Sequence, residues 1–304
     1  MAEFNIKILG CGSALPTVRH MATSQIVNLR DKLYMIDCGE GTQVQMRRMR
    51  IKFNKLNHIF ISHLHGDHCF GLPGLISTLG MLGRTGDLFI HAPKNMEEYL
   101  QPVLRLFNKG LPFCVRLNQV DTSKHALIME DRSMEVYSIP LNHRIPSCGF
   151  LFAEKQKEAH LLRDMIDFYQ IPVKFLRQIK QGADYTTPDG EVISNKRLTR
   201  PAEPAKRYAY CSDTAYFPAI IPAISGVDLL YHEATFLEAD KARAKETYHS
   251  TASQAAEIAR QAKVGKLVIG HFSARYEDDN SLKKEAAPIF ADTILAKEGM
   301  VLPV

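Results

Sequence analysis

The chain has 304 residues, of which 45% are hydrophobic and 23% are charged, the balance typical of a globular protein. This composition excludes collagen-like, coiled-coil and wholly disordered classes. The sequence contains no run of about 18 apolar residues, so we predict no membrane-spanning helix. The formal net charge of +5 is compatible with a polyanionic partner, but many metabolic enzymes are equally basic.

Short apolar strands separated by loops and helices are predicted along the chain. The predicted strands are residues 4–9, 33–37, 58–62, 134–141, 208–211, 229–232 and 266–270. Helices are predicted from Gly41 to about Arg50, over 70–82 and over 252–263; Thr251 and Gln254 have the spacing of a capping box before the last one. That helix leads directly into strand 266–270, a connection typical of a layered α/β domain.

One segment departs from this pattern. Residues 154–207 are charged, irregular and interrupted by four prolines, and within 174–207 eight Lys/Arg residues accompany four Asp/Glu. We interpret the chain as a single domain over residues 1–304, with 154–207 as an inserted, locally basic excursion.

The strongest chemical signal is an HxHxDH motif that follows the predicted strand 58–62. It places His63, His65, Asp67 and His68 within six residues. Three imidazoles repel one another when protonated, and burying them beside a carboxylate is costly unless a divalent cation is bound. Neutral imidazole and carboxylate are the expected ligands of zinc. The motif therefore predicts a metal site.

Two metal ions would need more ligands than this motif supplies. His143, Asp213 and His271 each follow the carboxyl end of a predicted strand. Strand ends at one edge of a sheet can converge on a single site. Each residue alone would more often be an ordinary surface or core residue, but their shared placement makes all three candidate ligands.

The chain resembles the ribonuclease Z family of the metallo-β-lactamase superfamily over nearly its whole length. The resemblance is carried by residues 9–16, 37–43, 63–74, 143, 211–214, 232–235, 249–251 and 270–276. The HxHxDH motif occurs in many hydrolases, whereas the combination of His-Glu-Ala-Thr, His-Ser-Thr and His-Phe-Ser-Ala-Arg-Tyr is much more specific. The resemblance implies an α/β fold, a four-layer αββα sandwich of the metallo-β-lactamase type with a protruding arm.

The resemblance also implies two zinc ions per subunit. The first would be bound by His63, His65 and His143, the second by Asp67, His68 and His271, and Asp213 would bridge them. Two such ions lower the pKa of a bridging water and stabilise both oxygens of an in-line phosphoryl displacement. Asp67 is also the candidate for orienting or deprotonating that water. His249, oriented by Glu233, is the candidate proton donor to the leaving ribose oxygen; the alternative is a purely structural hydrogen bond.

The implied activity is removal of the 3′ trailer from precursor tRNA, leaving a 3′-hydroxyl on the tRNA and a 5′-phosphate on the trailer. The candidate RNA contacts are Lys174, Arg177, Lys180, Lys206 and Arg207. The first three fall in the arm region and could equally form a solvated helix face. Val173-Lys174 replaces the family's Gly-Pro after Pro172, so the tip of the arm should differ in geometry.

A homodimer is implied as well, with no membrane association and no nucleotide cofactor, since no Rossmann or P-loop motif is present. Six cysteines without a CxxC pair, and no secretory signal, predict buried reduced thiols in a cytoplasmic protein. Two other functions remain open. One is hydrolysis of a small phosphodiester, thioester or lactam at the same site, and the other is non-catalytic RNA binding on a hydrolase scaffold.

Overall fold

The computed structural model describes residues 4–107 and 109–304. In chain order, its strands are β1 (Phe4–Gly10), β2 (Ser24–Leu29), β3 (Lys32–Ile36), β4 (Leu56–Phe60), β5 (Leu88–Ala92), β6 (Val115–Gln119), β7 (Leu127–Glu130), β8 (Met134–Pro140), β9 (Cys148–Glu154), β10 (His160–Leu161), β11 (Tyr185–Thr186), β12 (Val192–Ile193), β13 (Thr199–Arg200), β14 (Arg207–Cys211), β15 (Leu229–Glu233), β16 (Lys266–Gly270), β17 (Thr293–Leu295) and β18 (Val301–Pro303).

The α-helices are α1 (Thr42–Arg48), α2 (Gly66–Cys69), α3 (Leu72–Met81), α4 (Met96–Phe107), α5 (Arg163–Phe168), α6 (Val173–Lys180), α7 (Asn195–Leu198), α8 (Ile221–Ile224), α9 (Lys241–Thr247), α10 (Ala252–Ala262) and α11 (Asn280–Ala286). Short 3₁₀ segments lie at Phe53–Lys55, Pro218–Ile220 and Glu238–Asp240.

Within the described residues, the longer strands form two seven-stranded mixed sheets. The first has the order β18-β1-β2-β3-β4-β5-β6 and the second the order β17-β16-β15-β14-β9-β8-β7. Strands β3 to β6 run parallel to one another, as do β14 to β17. Because parallel strands end at the same edge, several loops of each sheet open on one side of the molecule.

The two sheets pack face to face, with helices outside them. Tyr208 on β14 donates a hydrogen bond to Gln25 on β2, and the rings of Tyr34 and Phe152 meet across the sheets with centroids 6.1 Å apart. Helices α1, α3 and α4 share a buried apolar core with the first sheet, whereas α10 and α11 pack on the second. The predicted four-layer αββα sandwich is therefore confirmed.

The chain divides into two compact units. One comprises the chain up to Glu130, Glu135–Phe152 and Lys206–Val304; the other comprises Asp131–Met134 and Ala153–Ala205. The second unit has its own small core, formed by Ile166, Ile171, Ile179, Tyr185, Ile193 and Leu198. Its larger segment, Ala153–Ala205, covers nearly the same residues as the predicted excursion 154–207. The interpretation of the whole chain as a single domain stays a prediction.

Several element boundaries differ from those predicted. Strand β4 ends at Phe60 rather than at residue 62, because its pairing with β3 and β5 extends no further. Strand β3 ends at Ile36 because Asp37 has a left-handed backbone, with φ 54°. The helix predicted over 70–82 begins at Leu72, after the separate short helix α2.

Helix α10 confirms the predicted capping box, in which Thr251 and Gln254 each bond the other's backbone N–H. The helix ends at Lys263, which takes the left-handed conformation, with φ 52°. In the part of the chain that the structure describes, the helices are too short or too polar to span a lipid bilayer.

Close packing between neighbouring strands allows no side chain at Gly149. A Cβ there would lie 2.3 Å from the carbonyl oxygen of Tyr210. We therefore expect Gly149→Ala to lower the free energy of unfolding by about 1–3 kcal/mol, because backbone must move to relieve the overlap. Urea unfolding followed by circular dichroism measures this change. Gly86→Ala is the matched control, since no atom lies within 4 Å of its added Cβ, and equal stability of the two variants would contradict the packing argument.

Candidate metal centre

The HxHxDH motif occupies the turn between β4 and α2. His63 and His65 lie in the extended segment after β4, and Asp67 and His68 lie on α2. The backbone leaves the sheet ladder at Phe60 and enters a helix at Gly66, so imidazoles and a carboxylate from one short segment face the same space. His63 and His68 are fully buried.

Three further strands bring the remaining candidate ligands to this edge. His143 follows β8, Asp213 follows β14 and His271 follows β16. Asp213 and His271 have left-handed backbones, with φ of 62° and 61°. Such values are uncommon for residues other than glycine and are typical of functional sites, where the surrounding structure holds the strained conformation.

Four residues form the first group of donor atoms. The Nδ1 atom of His65 lies 3.0 Å from Nε2 of His63 and 3.3 Å from Nε2 of His143. Oδ2 of Asp213 lies 3.6 Å from the His63 nitrogen and 3.9 Å from the His143 nitrogen. One donor atom from each of these residues falls within 4.8 Å of all the others.

The second group lies on the other side of Asp213. Oδ2 of Asp67 is 3.4 Å from Nε2 of His68 and 3.6 Å from Nε2 of His271. Oδ1 of Asp213 lies 3.2 Å and 3.3 Å from the same two nitrogens. The two oxygens of one carboxylate thus face different donor groups, which is the geometry required of a bridging ligand. The structure brings all seven candidate ligands together.

The donor set fits divalent cations. Nε2 of His68 and Nε2 of His271 are buried and have no hydrogen-bond partner among the described residues. Burying polar atoms without partners is costly, and a bound cation would remove that cost. Imidazole nitrogens and carboxylate oxygens at these positions are ligands that zinc and related ions accept.

The electrostatics of the site favour metal ligation. Burial lowers the pKa of His63, and it also lowers the pKa values of His65 and His143, so their lone pairs are available. Burial acts against ionisation of Asp213, but the imidazoles of His271, His68 and His63 hold its pKa well below the usual range. Burial acts to lower the pKa of His68 as well, yet the carboxylates around it raise that pKa overall.

A second carboxylate, Asp37, orients His68. Its Oδ2 lies 2.8 Å from Nδ1 of His68 and accepts a hydrogen bond of 2.7 Å from the hydroxyl of Tyr210. Its Oδ1 accepts a bond of 2.8 Å from the backbone N–H of Ser62. These contacts direct Nε2 of His68 toward the donor groups. Sequence reasoning quoted Asp37 as part of a motif but assigned it no role.

Two other ligands are held by contacts that sequence reasoning also missed. The hydroxyl of Thr235 lies 2.9 Å from Nδ1 of His271 and donates to Glu233 at 2.6 Å. Nδ1 of His143 lies 3.0 Å from the carbonyl oxygen of Tyr248. Each contact engages one ring nitrogen and leaves the other facing the donor groups.

Glu233 and His249 form a close pair beside the centre. Oε1 of Glu233 lies 2.8 Å from Nδ1 of His249 and also accepts a bond of 2.9 Å from the backbone N–H of Thr214. Burial acts to lower the pKa of His249, but the charge and hydrogen bond of Glu233 raise it to about 9. The His249 ring lines a cavity of about 300 Å³ together with His143 and His271.

The candidate RNA contacts fall into two groups. Lys174, Arg177 and Lys180 lie on α6, with the first two exposed and the last half-buried. The side chains of Lys206 and Arg207 instead form contacts with other residues of the protein. The ammonium of Lys206 lies 2.7 Å from Asp228, and the guanidinium of Arg207 donates to the carbonyl oxygens of Ser225 and Gly226 at 3.2 Å and 2.8 Å. RNA contact by these residues stays a prediction.

Known proteins resemble this chain over its whole length. A family model described as a β-lactamase superfamily domain matches residues 33–272, a range that contains all seven candidate ligands. Ribonuclease Z of Parabacteroides distasonis is 73% identical over 100% of both chains, and ribonuclease Z of Bacteroides fragilis is 63% identical over 99% of both. The crystal structure of human tRNase Z, short form, superposes with a TM-score of 0.71 at 26% identity and covers 99% of this chain and 100% of that one.

The contacts of Asp37 predict that its charge supports metal binding. Asp37→Asn keeps the shape of the side chain but removes the carboxylate beside Nδ1 of His68, so we expect metal affinity to fall about 10- to 100-fold. Competition with a chromogenic chelator measures the affinity. Asp31→Asn is the control, because the side chain of Asp31 is exposed and its ion-pair partner is Lys52, which is not one of the ligands. Equal affinities for the two variants would show that Asp37 does not support the ligand.

Proposed function

The chain belongs to the ribonuclease Z family, and on that premise we propose that it removes the 3′ trailer from precursor tRNA as a zinc-dependent endoribonuclease. The products would be a tRNA with a 3′-hydroxyl and a trailer with a 5′-phosphate. The observation that carries the proposal is the position of Asp213. One of its carboxylate oxygens faces the first group of donors and the other faces the second group. A shared carboxylate can hold two ions close enough together to act on one phosphodiester.

Two zinc ions per subunit are proposed to occupy these groups. The first would be held by His63, His65 and His143, the second by Asp67, His68 and His271, and Asp213 would contact both. When bound, two such ions supply Lewis-acid stabilisation to the phosphoryl oxygens and make a water nucleophilic at neutral pH. The protein's own contribution is to fix the ligands in place and to move protons.

Asp67 is proposed to orient the attacking water and accept its proton. Burial opposes ionisation of Asp67, but His68 and His271 hold its pKa well below the usual range, so it is a carboxylate at neutral pH. Its side chain lines the cavity that His249 also lines. A carboxylate facing the reacting phosphate can both accept a hydrogen bond from the water and receive its proton.

His249 is proposed to protonate the leaving 3′-oxygen of the ribose. Its Nδ1 is engaged by Glu233 at 2.8 Å, so Nε2 is the nitrogen that can donate into the cavity. Glu233 is held in turn by the backbone N–H groups of Thr214 and Ser250, at 2.9 Å and 3.1 Å. The buried carboxylate therefore fixes both the orientation and the tautomer of the imidazole.

Positive charge around the cavity supports a nucleic-acid substrate. Arg144, Arg243 and Arg275 contribute to the cavity wall that His249 lines. Their guanidinium groups suit the phosphates on either side of the scissile bond. The exposed cations of α6 would add phosphate contacts farther along the tRNA.

We also propose that the enzyme acts as a homodimer in the cytoplasm.

Replacing His249 tests the proton-donor role. We expect His249→Ala to lower the single-turnover rate of precursor cleavage by about 10²- to 10⁴-fold, because the leaving oxygen would lose its proton source. Zinc content should remain that of the wild type, since His249 is not one of the seven ligands. His125→Ala is the control, because His125 is not one of the seven candidate ligands and its ring bonds the backbone carbonyl of Ser138.

Two results would contradict the proposal, one from that experiment and one from an assay of a small phosphodiester. An unchanged cleavage rate in His249→Ala would remove the residue from the chemistry. Rapid turnover of bis(p-nitrophenyl) phosphate by the wild type, without any cleavage of precursor tRNA, would instead favour a hydrolase of small phosphodiesters.

The α6 cations can be tested through the salt dependence of binding. Replacing Lys174, Arg177 and Lys180 by Ala should reduce the slope of log K against log salt by roughly two to three, because fewer counterions are released from the RNA. The control replaces three exposed lysines of the other unit, Lys266, Lys283 and Lys284. Equal slopes for the two triple variants would remove α6 from the RNA interface.

A further inference from the structure

A second cluster of donor atoms lies outside the proposed catalytic machinery. Cys11 follows β1, His20 precedes β2, and Glu298 lies between β17 and β18. The Sγ atom of Cys11 is 3.6 Å from Nδ1 of His20 and 3.4 Å from Oε1 of Glu298. The same His20 nitrogen lies 3.3 Å from both oxygens of Glu298. Three distant segments of the chain thus converge on one point.

The distances between these atoms match the edges of a tetrahedral zinc site. With Zn–S near 2.3 Å and Zn–N and Zn–O near 2.0–2.2 Å, tetrahedral angles place sulfur about 3.6 Å from nitrogen and oxygen, and nitrogen about 3.4 Å from oxygen. The observed separations of 3.6, 3.4 and 3.3 Å differ from these values by about 0.2 Å or less. These separations are compatible with a single tetrahedral cation bound by all three donors.

The surroundings orient the histidine for this role. Nε2 of His20 lies 2.8 Å from Oδ2 of Asp279, which leaves Nδ1 directed at the other two donors. A carboxylate that holds the second imidazole nitrogen is the usual outer partner of a zinc-bound histidine. Cys11 is fully buried, and the side chains of His20 and Glu298 are only 11% and 16% exposed. The cluster is thus largely shielded from solvent, as structural zinc sites are.

We propose that Cys11, His20 and Glu298 bind a structural Zn²⁺ ion that is separate from the catalytic ions. The fourth position would be filled by water or by the carbonyl oxygen of Ala296, which lies 3.6 Å from Sγ of Cys11. The ion would tie the end of β1 to the segment before β18. It would also steady the neighbouring ligand loop, because the backbone N–H of Phe272 donates to the carbonyl oxygen of Cys11 at 3.0 Å.

Protons compete with this ion. Without metal, burial and the charge of Glu298 raise the pKa of the Cys11 thiol, and hydrogen bonds that the His20 ring donates to Asp279 and Glu298 raise the pKa of His20 to about 9. The metal-free cluster is then a protonated histidine held between two carboxylates, beside a neutral thiol. Binding of Zn²⁺ must displace both protons, so affinity at this site rises with pH.

Cobalt substitution tests the proposal directly. The full-length protein is stripped with a chelator and reconstituted with Co²⁺, and thiolate-to-cobalt charge-transfer absorption is recorded in the near ultraviolet. The seven ligands of the catalytic centre include no sulfur, so that absorption reports only a cysteine-ligated site. We expect the wild type to show the absorption with an intensity that corresponds to one thiolate-bound Co²⁺ per chain. Cys11→Ser should lose the absorption, and the exposed-thiol control Cys114→Ser should keep it.

Further variants separate this proposal from the catalytic one. Asp213→Ala should retain the charge-transfer absorption while losing catalytic cobalt, whereas Glu298→Gln should keep the thiol but weaken cobalt binding at this site at least tenfold. If Cys11→Ser fails to fold, zinc X-ray absorption on the wild type decides, with Zn–S scattering at about 2.3 Å expected. Absence of charge-transfer absorption and of Zn–S scattering in the wild type would overturn the proposal and leave the cluster a hydrogen-bonded ion pair.

Discussion

Burial of imidazoles and carboxylates together at one edge of the sandwich carries a large free-energy cost, and a bound cation can offset that cost. Asp213 is almost fully buried, and its two oxygens lie between 3.2 and 3.9 Å from four different imidazole nitrogens. Among the described residues, Nε2 of His68 and Nε2 of His271 are buried without a hydrogen-bond partner, which is costly unless a cation binds there. Divalent cations would give these nitrogens a partner. Asp213 and His271 also have strained, left-handed backbones, which are typical of residues at functional sites.

The αββα layers make that concentration of charge possible. Each sheet has a group of parallel strands, so consecutive strand ends deliver ligands to the same edge without long loops. The interior between the sheets then supplies the groups that hold those ligands. Tyr210 on β14 bonds Asp37 after β3, and Asp37 orients His68 on α2. Packing of the two sheets is thereby coupled to the geometry of the metal centre.

Sequence alone predicts those parts of the site that are local. The HxHxDH motif falls within six residues, and the placement of His143, Asp213 and His271 after apolar strands was enough to group them. Asp37 could not be assigned in this way, because its partner His68 is 31 residues away and only the folded chain joins them. The end of β4 was misplaced for a similar reason, since pairing with its neighbours, and not its own apolar residues, decides where it stops. The contacts of Lys206 with Asp228 and of Arg207 with two backbone carbonyls likewise join residues that lie apart in the sequence, so only the structure shows them. Cys11 and Glu298 are 287 residues apart, so no sequence pattern could pair them.

We expect two cations to share Asp213. Anomalous diffraction from crystals of the zinc-loaded protein, collected on both sides of the zinc absorption edge, tests it most directly. We expect two anomalous peaks roughly 3.5 Å apart, as in other two-metal sites, with one oxygen of Asp213 within bonding distance of each. A single peak, or two peaks of which only one contacts Asp213, would contradict it.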